Sequence, residues 1–433
     1  MIWIGYTTRY RDGGEKFERA AITMERDLLL RRPDAVVRRE AVESKREFVR
    51  AMRRIEGEGM RIDELHFIGH SGMYGVMFGT TSWPEQFSPH EWRELHLPFA
   101  DGASAWFHAC RTARWFAPFF ARTFGVRTYG YHWYTTISRS PNRYRWDALA
   151  GKDEPLYIIS CPGRKSHGLL GSAAKHIGLA RVEPMKAFNP TEVDGDETYN
   201  SVADLYDAAF DDITVREDEW AWLLRHLPSD RSLRLLDVGC GNGALLTQLA
   251  DRLSYGVGVD RAVGMIERAR RRGEPHPHLD FRTIDGPSLP FADASFDIVL
   301  SFMSFRYLDW DPMMNEIRRL LVPGGRILIV DMAASPVRLR HLPLFVSSKL
   351  KVLRARRRHP RFAEALWRLV NDPGWKTMLR YNPIRAEHEY RWYLESRYPG
   401  HHIEVLNVGY TEKLLAFDSG PLEPGSVPVL TYP

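Results

Sequence analysis

Four residues in the stretch LRLLDVGCGNGALLTQLA have types and spacing that could do chemistry: Asp237, Gly239, Gly241 and Gly243. An apolar run ends in a carboxylate, glycine then stands at every second position, and an apolar helix pattern begins at once. Glycines placed so let a backbone come close to a ligand where a Cβ would clash. Dinucleotide sites use a similar turn, but they need G-x-G-x-x-G, and the residue three beyond Gly241 is Ala244. Cys240, inside the turn, reads as small filler. A second candidate lies in IDELHFIGHSG, residues 62–72. Ser71 would be the nucleophile of a G-x-S-x-G elbow, but position 73 is Met. His70 has a better use, as base to a thiol: SAWFHACRTA places Cys110 forty residues later. Cys161, with His167 nearby, reads as a structural thiol.

Two alternating patterns must position these residues. MIWIGYTT, AVVRREAV, ELHFIGH, ASAWFHAC and VRTYGYHWYTT read as strands, with helices over EKFERAAITMERDLLLRR, SKREFVRAMRRIEGEG and RWFAPFFARTFG and a hairpin at GMYGVMFGT. The polar segment 186–198 reads as a linker. A single helix is expected over 201–228, followed by strands LRLLDVG, SYGVGVD, LDFRTID, FDIVLSF and RILIVDM with helices between them. HHIEVLNVGYTEKLLAFDSG closes the pattern as an antiparallel pair. Strands alternating with helices imply two doubly wound α/β domains.

The 433 residues are 44% hydrophobic and 27% charged, enough for two globular cores, and the net charge of +5 is too small to argue for nucleic acid. Three cysteines without CxxC spacing make neither a disulfide framework nor a zinc site. No signal-peptide pattern opens the sequence and no apolar run is long enough to span a bilayer, so a soluble cytoplasmic protein without metal is expected.

Residues from about 197 to 420 resemble a class I S-adenosylmethionine-dependent methyltransferase. The acidic residue before G-x-G-x-G is Asp237, and the one closing the next strand is Asp260. Asp285 follows strand three in FRTIDGPSLPF. FDIVLSF with Asp297 and RRLLVPGGRILIVD with Pro323, Gly324 and Gly325 come next, in family order. The resemblance implies S-adenosylmethionine as cofactor. Asp260, beside Arg261, would accept the ribose hydroxyls. Asp285 would accept the adenine amino group, with the backbone of Ile284 to Gly286 on the ring edge. Gly239, Cys240, Gly241 and Gly243 would make room for the methionine moiety, with Asp237 positioning its amino group or a water. Ser301 belongs to the same set, and Tyr199 and Tyr206 match the place where the family often folds a helix over the cofactor. No general base is identified; Tyr307, Asp309, His401 and His402 are candidates by their places near strand ends.

Residues 1–180 resemble the caspase-like (clan CD) cysteine peptidases. Ala109, Cys110 and Arg111 match three positions of Q-A-C-[RQG]-G, whereas His108 and Thr112 depart from it. The resemblance implies His70 as base and proton donor to Cys110, with an oxyanion held by backbone N–H groups, one from Gly72. Ser71 stands where the family usually has that glycine. A domain that binds peptide without cleaving it is the alternative.

The expected organisation is a caspase-like domain over 1–185, a linker over 186–198, a methyltransferase domain over 199–420 and a tail over 421–433. Residues 337–361 hold nine Lys or Arg and no acid, with leucines interleaved. They could recognise an anionic substrate, an acidic partner or a membrane surface, or simply form a solvated helix. The expected function is methyl transfer to oxygen, nitrogen or carbon of a small molecule or peptide. The alternative is a peptidase or peptide-recognition protein in which the S-adenosylmethionine domain regulates.

Overall fold

A computed structural model describes residues 1–161, 164–191, 202–228, 232–335, 341–381, 384–409 and 411–423. The chain divides between Val193 and Asp194 into two compact units.

In the first unit a six-stranded sheet is built from β1 (Ile2–Tyr6), β2 (Val37–Ala41), β3 (Ile62–Ile68), β4 (Phe99–His108), β5 (Arg127–Gly130) and β6 (Lys186–Phe188). The order across it is β6-β5-β4-β3-β1-β2, parallel except for β6. Side chains alternate between two faces. Trp3, Phe67 and Phe107 pack with Phe48, Met52, Phe116 and Phe120 of α2 (Lys45–Gly57) and α3 (Phe116–Phe124). Ile2, Ile4 and Ile68 pack with Phe17 and Ala21 of α1 (Gly14–Arg31). Helices therefore cover both faces, as a buried parallel sheet requires. The capping residue of α2 is legible in SKRE: the Ser44 hydroxyl accepts the Glu47 N–H at 3.1 Å.

Two expectations in this unit are corrected. VRTYGYHWYTT is not one strand. After Gly130 the backbone leaves the sheet, because the Tyr131 and Trp133 carbonyls accept N–H groups of Ala113 and Arg111 in the turn after β4. Thr135–Ser138 then pairs with Tyr157–Ser160 in a separate ribbon. The expected linker is also shorter at its start, since Lys186–Phe188 pairs antiparallel with β5 as the edge strand. Residues 192–198 of it lie outside the described residues.

The second unit holds β7 (Leu233–Val238), β8 (Leu253–Asp260), β9 (Leu279–Thr283), β10 (Phe296–Phe302), β11 (Leu321–Ala334), β12 (Glu404–Val408) and β13 (Glu412–Asp418). Their order is β9-β8-β7-β10-β11-β13-β12, with β13 antiparallel to both neighbours. Leu233 and Leu235 of β7 face a core shared with α5 (Glu217–His226), α6 (Ala244–Gln248) and α7 (Val263–Gly273), and Leu236 and Val238 face α8 (Trp310–Leu320) and α12 (Glu387–Arg397). The strand order reverses between β7 and β10, so the carboxyl ends of β7 and β8 open onto a switch-point crevice.

The helix expected over 201–228 is broken into α4 (Ala203–Ala209), a 3-10 turn at Ile213–Val215 and α5. Asp212 causes the break: its carboxylate accepts the Thr214 N–H at 2.9 Å, and Gln248 accepts the Ile213 N–H at 3.0 Å. The basic segment begins as α9 (Leu342–Arg358) and continues through α10 (Pro360–Asn371) and α11 (Pro373–Tyr381), while 337–340 lie outside the described residues. No helix among the described residues is long and apolar enough to cross a membrane.

Candidate functional site

The turn after β7 is held by its neighbours. Gly239 and Cys240 donate N–H groups to the Val259 carbonyl at 2.8 and 3.0 Å. Gly239 has φ 80°, and a Cβ there would stand 2.4 Å from Cβ of Ser304. Gly243 has φ 74°, and its Cβ would meet Ala269 and Phe281 at 2.9 Å. These two glycines are needed for packing, whereas Gly241 (φ 54°) faces the Tyr206 ring, which a Cβ would reach at 3.7 Å.

Asp260 ends β8 against this turn. One carboxylate oxygen accepts the Gly241 N–H at 3.0 Å, and the other accepts the Ala262 N–H at 2.8 Å. Burial raises its pKa, opposed by those backbone donors. Asp237 is more deeply placed. It is 1% exposed, its Oδ1 has no hydrogen-bond partner among the described residues, and burial, with the Asp260 charge second, pushes its carboxyl up to about 8. Burial also pushes up the Cys240 thiol, which packs where a Cβ on Gly258 would come within 2.8 Å of the sulfur.

Asp237, Gly239, Cys240 and Gly241 line an open cleft of about 370 Å³, with Tyr206, Phe210, Ile213, Arg216, Asn242, Leu245, Phe302 and Met303. Tyr206 reaches it from α4 and packs on Phe210, ring centroids 4.7 Å apart; burial raises its phenol pKa. Asn242 pins α4 over the turn, donating to Asp207 at 2.8 Å and to the Phe210 carbonyl at 3.1 Å. The Arg216 guanidinium lies 4.3 Å from the centre of the Phe210 ring and 3.3 Å from Glu219.

The remaining sequence candidates are scattered around this centre. Ile284 is buried and donates its N–H to the Asp260 carbonyl at 3.0 Å, while Asp285 and Arg261 are exposed and Gly286 half-buried. The Ser301 hydroxyl is spent beneath the turn, on the Val238 carbonyl at 3.3 Å and the Ser304 hydroxyl at 2.8 Å. Asp297 pairs with Arg234 at 2.8 Å and holds β7 to β10. Tyr199 lies outside the described residues. Of the base candidates, His401 and His402 precede β12, the outermost strand beyond β11 and β13, and neither lines the cleft. Asp309 caps α8, its carbonyl accepting the Met313 N–H, and Tyr307 lies under the Arg306 guanidinium. Neither lines the cleft.

Sequence reading missed Arg216, Asn242, Phe302 and Met303. Met303 carried the faintest signal, as the residue just past FDIVLSF; its φ of 62° turns the chain at the cleft wall.

In the first unit, Ile68 of β3 pairs in parallel register with His108 of β4. His70 and Cys110 each follow two residues later, at the same sheet edge. The His70 ring stands edge-on to Tyr10 and Phe17, with Nε2 3.1 Å from the Asp12 carbonyl. The half-buried Cys110 sulfur lies 3.2 Å from the Thr135 hydroxyl and accepts the Thr135 N–H at 3.3 Å. The Ser71 hydroxyl donates to the Cys110 carbonyl, so it ties the two turns together. Gly72 lies in a two-residue strand opposite Gly75. Cys161 is buried and its thiol pushed up by burial; the His167 side chain lies outside the described residues. No cluster of metal-ligating side chains occurs among the described residues.

With this geometry in view, residues 236–329 match the family model described as a methyltransferase domain. Over 136 residues, 30% of its length, the chain is 38% identical to a biotin biosynthesis bifunctional protein from Cellvibrio japonicus, of which it covers 24%. Over 143 residues, 32% of its length, it is 32% identical to a demethylmenaquinone methyltransferase from Clavibacter sepedonicus, of which it covers 58%. A 27-O-demethylrifamycin SV methyltransferase from Amycolatopsis mediterranei is 30% identical over 148 residues, covering 33% of the chain and 53% of the relative. The chain thus spans between about a quarter and three fifths of the length of these curated relatives. Within the second unit, residues 236–329 thus match a methyltransferase domain, and S-adenosylmethionine is the cofactor of that chemistry. The residues fit that group. An orphaned, buried carboxyl oxygen of Asp237 beside an open glycine is suited to a cation, and the cofactor carries an ammonium and a sulfonium.

Proposed function

We propose that the chain is an S-adenosylmethionine-dependent methyltransferase acting on a small organic acceptor. The observation that carries this reading is the Asp237 oxygen without a partner among the described residues, in a cleft that Gly239 and Gly241 also line. The bound cofactor supplies an electrophilic methyl on sulfur. Asp260 then orients the ribose through a carboxylate that can accept both hydroxyls, and Asp285 with the 284–286 backbone reads the adenine. Asp237 balances the cationic end. Tyr206 closes the cleft from α4, which Asn242 pins over the turn. With its phenol pKa raised by burial, Tyr206 keeps its proton and can donate a hydrogen bond to an acceptor but not remove a proton from it. No carboxylate or imidazole other than Asp237 lines the cleft among the described residues, so the chain's contribution is proximity and orientation in a half-dry site. A small acceptor is supported by the quinone and rifamycin named for the relatives. Incubation with methyl-labelled cofactor and a small-molecule cell extract should transfer label to an organic product. Binding without transfer would make the domain a sensor.

For the first unit, a caspase-like scaffold that cleaves or binds peptide is the second reading. Its support is the β6-β5-β4-β3-β1-β2 order together with His70 and Cys110 after neighbouring parallel strands. On this reading residues 1–185 form a separate domain from 199–420. Cys110 should react with a thiol label at neutral pH at least about 10-fold faster than Cys161 and Cys240, whose thiols burial pushes up. His70→Ala should slow it. Equal, slow labelling would leave a scaffold without a nucleophile.

A further inference from the structure

The outer face of α9 is unusual for a solvated helix. Leu342, Val346, Leu350 and Leu353 are all about half exposed or more, with Leu353 at 57%. At 100° per residue these four fall within an arc of about 80°, a continuous apolar stripe. The segment Leu342–Arg358 holds six Lys or Arg and no acid. The inner flank is tied down: Lys351 pairs with Asp218 at 2.6 Å, Arg358 with Glu217 at 3.0 Å, and the buried Ser348 hydroxyl accepts the Val408 N–H at 3.3 Å. Arg354, Arg356 and Arg357 are exposed and make no ion pair among the described residues. The next helix, α10, exposes Trp367 (61%), while its other side packs Phe362 and Leu366 onto the core around Tyr206 and Phe210.

We propose that the outer face of α9 and α10 docks this unit onto an anionic lipid bilayer. Charge and apolarity together select that occupant. Leucines that are costly to leave in water sit between unpaired arginines, the pattern of a helix lying in a membrane interface, and Trp367 is the residue type that prefers that depth. A second copy of the chain would bring one basic flank against another, and a nucleic acid would leave the leucine stripe in water. Because Phe362 of α10 packs against Phe210, which lines the cleft, docking would hold the cleft close to the bilayer surface. On the methyltransferase reading, which this clause rests on, the acceptor is then an apolar molecule dissolved in the bilayer.

Flotation of the full chain with phosphatidylcholine vesicles, with and without 30% phosphatidylglycerol, tests the docking. The chain should float with the anionic vesicles and only weakly with the neutral ones. The triple variant Arg354→Gln/Arg356→Gln/Arg357→Gln should partition on the order of 100-fold more weakly, at about a factor of five per surface cation. Leu350→Glu/Leu353→Glu should lose at least about 10-fold. Both variants should keep wild-type affinity for S-adenosylhomocysteine by calorimetry, which shows that they fold. Failure of the wild-type chain to float, or equal flotation of folded variants, overturns the proposal. So does a dimer in light scattering that the leucine variant splits, since the face would then belong to a second copy. Wild-type flotation without cofactor binding would instead defeat the methyltransferase reading and leave the docking surface standing.

Discussion

Asp260→Ala is expected to weaken S-adenosylmethionine and S-adenosylhomocysteine binding by on the order of 100-fold or more, because two hydroxyls lose one charged acceptor and each charge-assisted hydrogen bond is worth roughly 1.5–3 kcal/mol. The loss has a second part. The same carboxylate holds the Gly241 and Ala262 N–H groups at 3.0 and 2.8 Å, so its removal also frees the turn that faces the cleft. Asp260→Asn grades the two parts. Its amide oxygen can still accept one of the two backbone N–H groups, but its NH2 cannot accept the other, so the turn keeps one of its two bonds while the charge is lost. The asparagine variant should therefore bind better than the alanine variant and worse than wild type. Calorimetry with S-adenosylhomocysteine reads all three. Unchanged affinity in the alanine variant would remove Asp260 from the ribose site.

The turn that this carboxylate organises was legible in the sequence because it is local. A buried strand, an acid and alternating glycines occur within a dozen residues, and the next acidic strand end follows at family spacing. The cleft's other walls were not. Arg216 and Phe302 line the cleft from places far apart in sequence, and α4 is pinned over the turn by Asn242 through Asp207, a contact between side chains that no periodicity encodes. The break in the 201–228 helix has the same origin. Its apolar pattern is helical throughout, and only the capping by Asp212 and the hydrogen bond from Ile213 to Gln248 show why it stops. His401 and His402 stand apart for a different reason. Sequence marks a strand end but not the strand's place in the sheet, and β12 pairs outside β13 as the edge strand, three strands from β10. In the first unit the parallel strands were readable as apolar runs. The departure of residues 131–134 was not, because it is drawn by carbonyls that the turn after Cys110 requires.

Asp237→Asn is expected to stabilise the cofactor-free second unit at alkaline pH while weakening its cofactor site. The Asp237 carboxyl is pushed up to about 8 in the fold, against 3.8 for an ordinary aspartate. Between those values the folded chain keeps a proton that the unfolded chain has released. Rising pH therefore favours unfolding: the stability is fully present below about pH 4, falls by at most about 1.4 kcal/mol per pH unit, and is lost by about pH 8. Expressed in full, the window is on the order of 5 kcal/mol, a large share of a domain's total. Asparagine fills the same volume without a proton to lose, so its pH dependence should be flatter. Urea unfolding at pH 5, 7 and 9 checks this, following the transition that S-adenosylhomocysteine shifts. The midpoints of wild type and variant should lie close at pH 5 and separate as pH rises, with the variant higher at pH 9. Parallel slopes would mean that the carboxyl ionises normally and that its Oδ1 has a partner. A buried acid that costs the empty fold this much is explained by what it gains when filled. A cationic group beside Oδ1 lowers the carboxyl's pKa and supplies the missing partner, so wild type should recover more stability from saturating cofactor than the asparagine variant does.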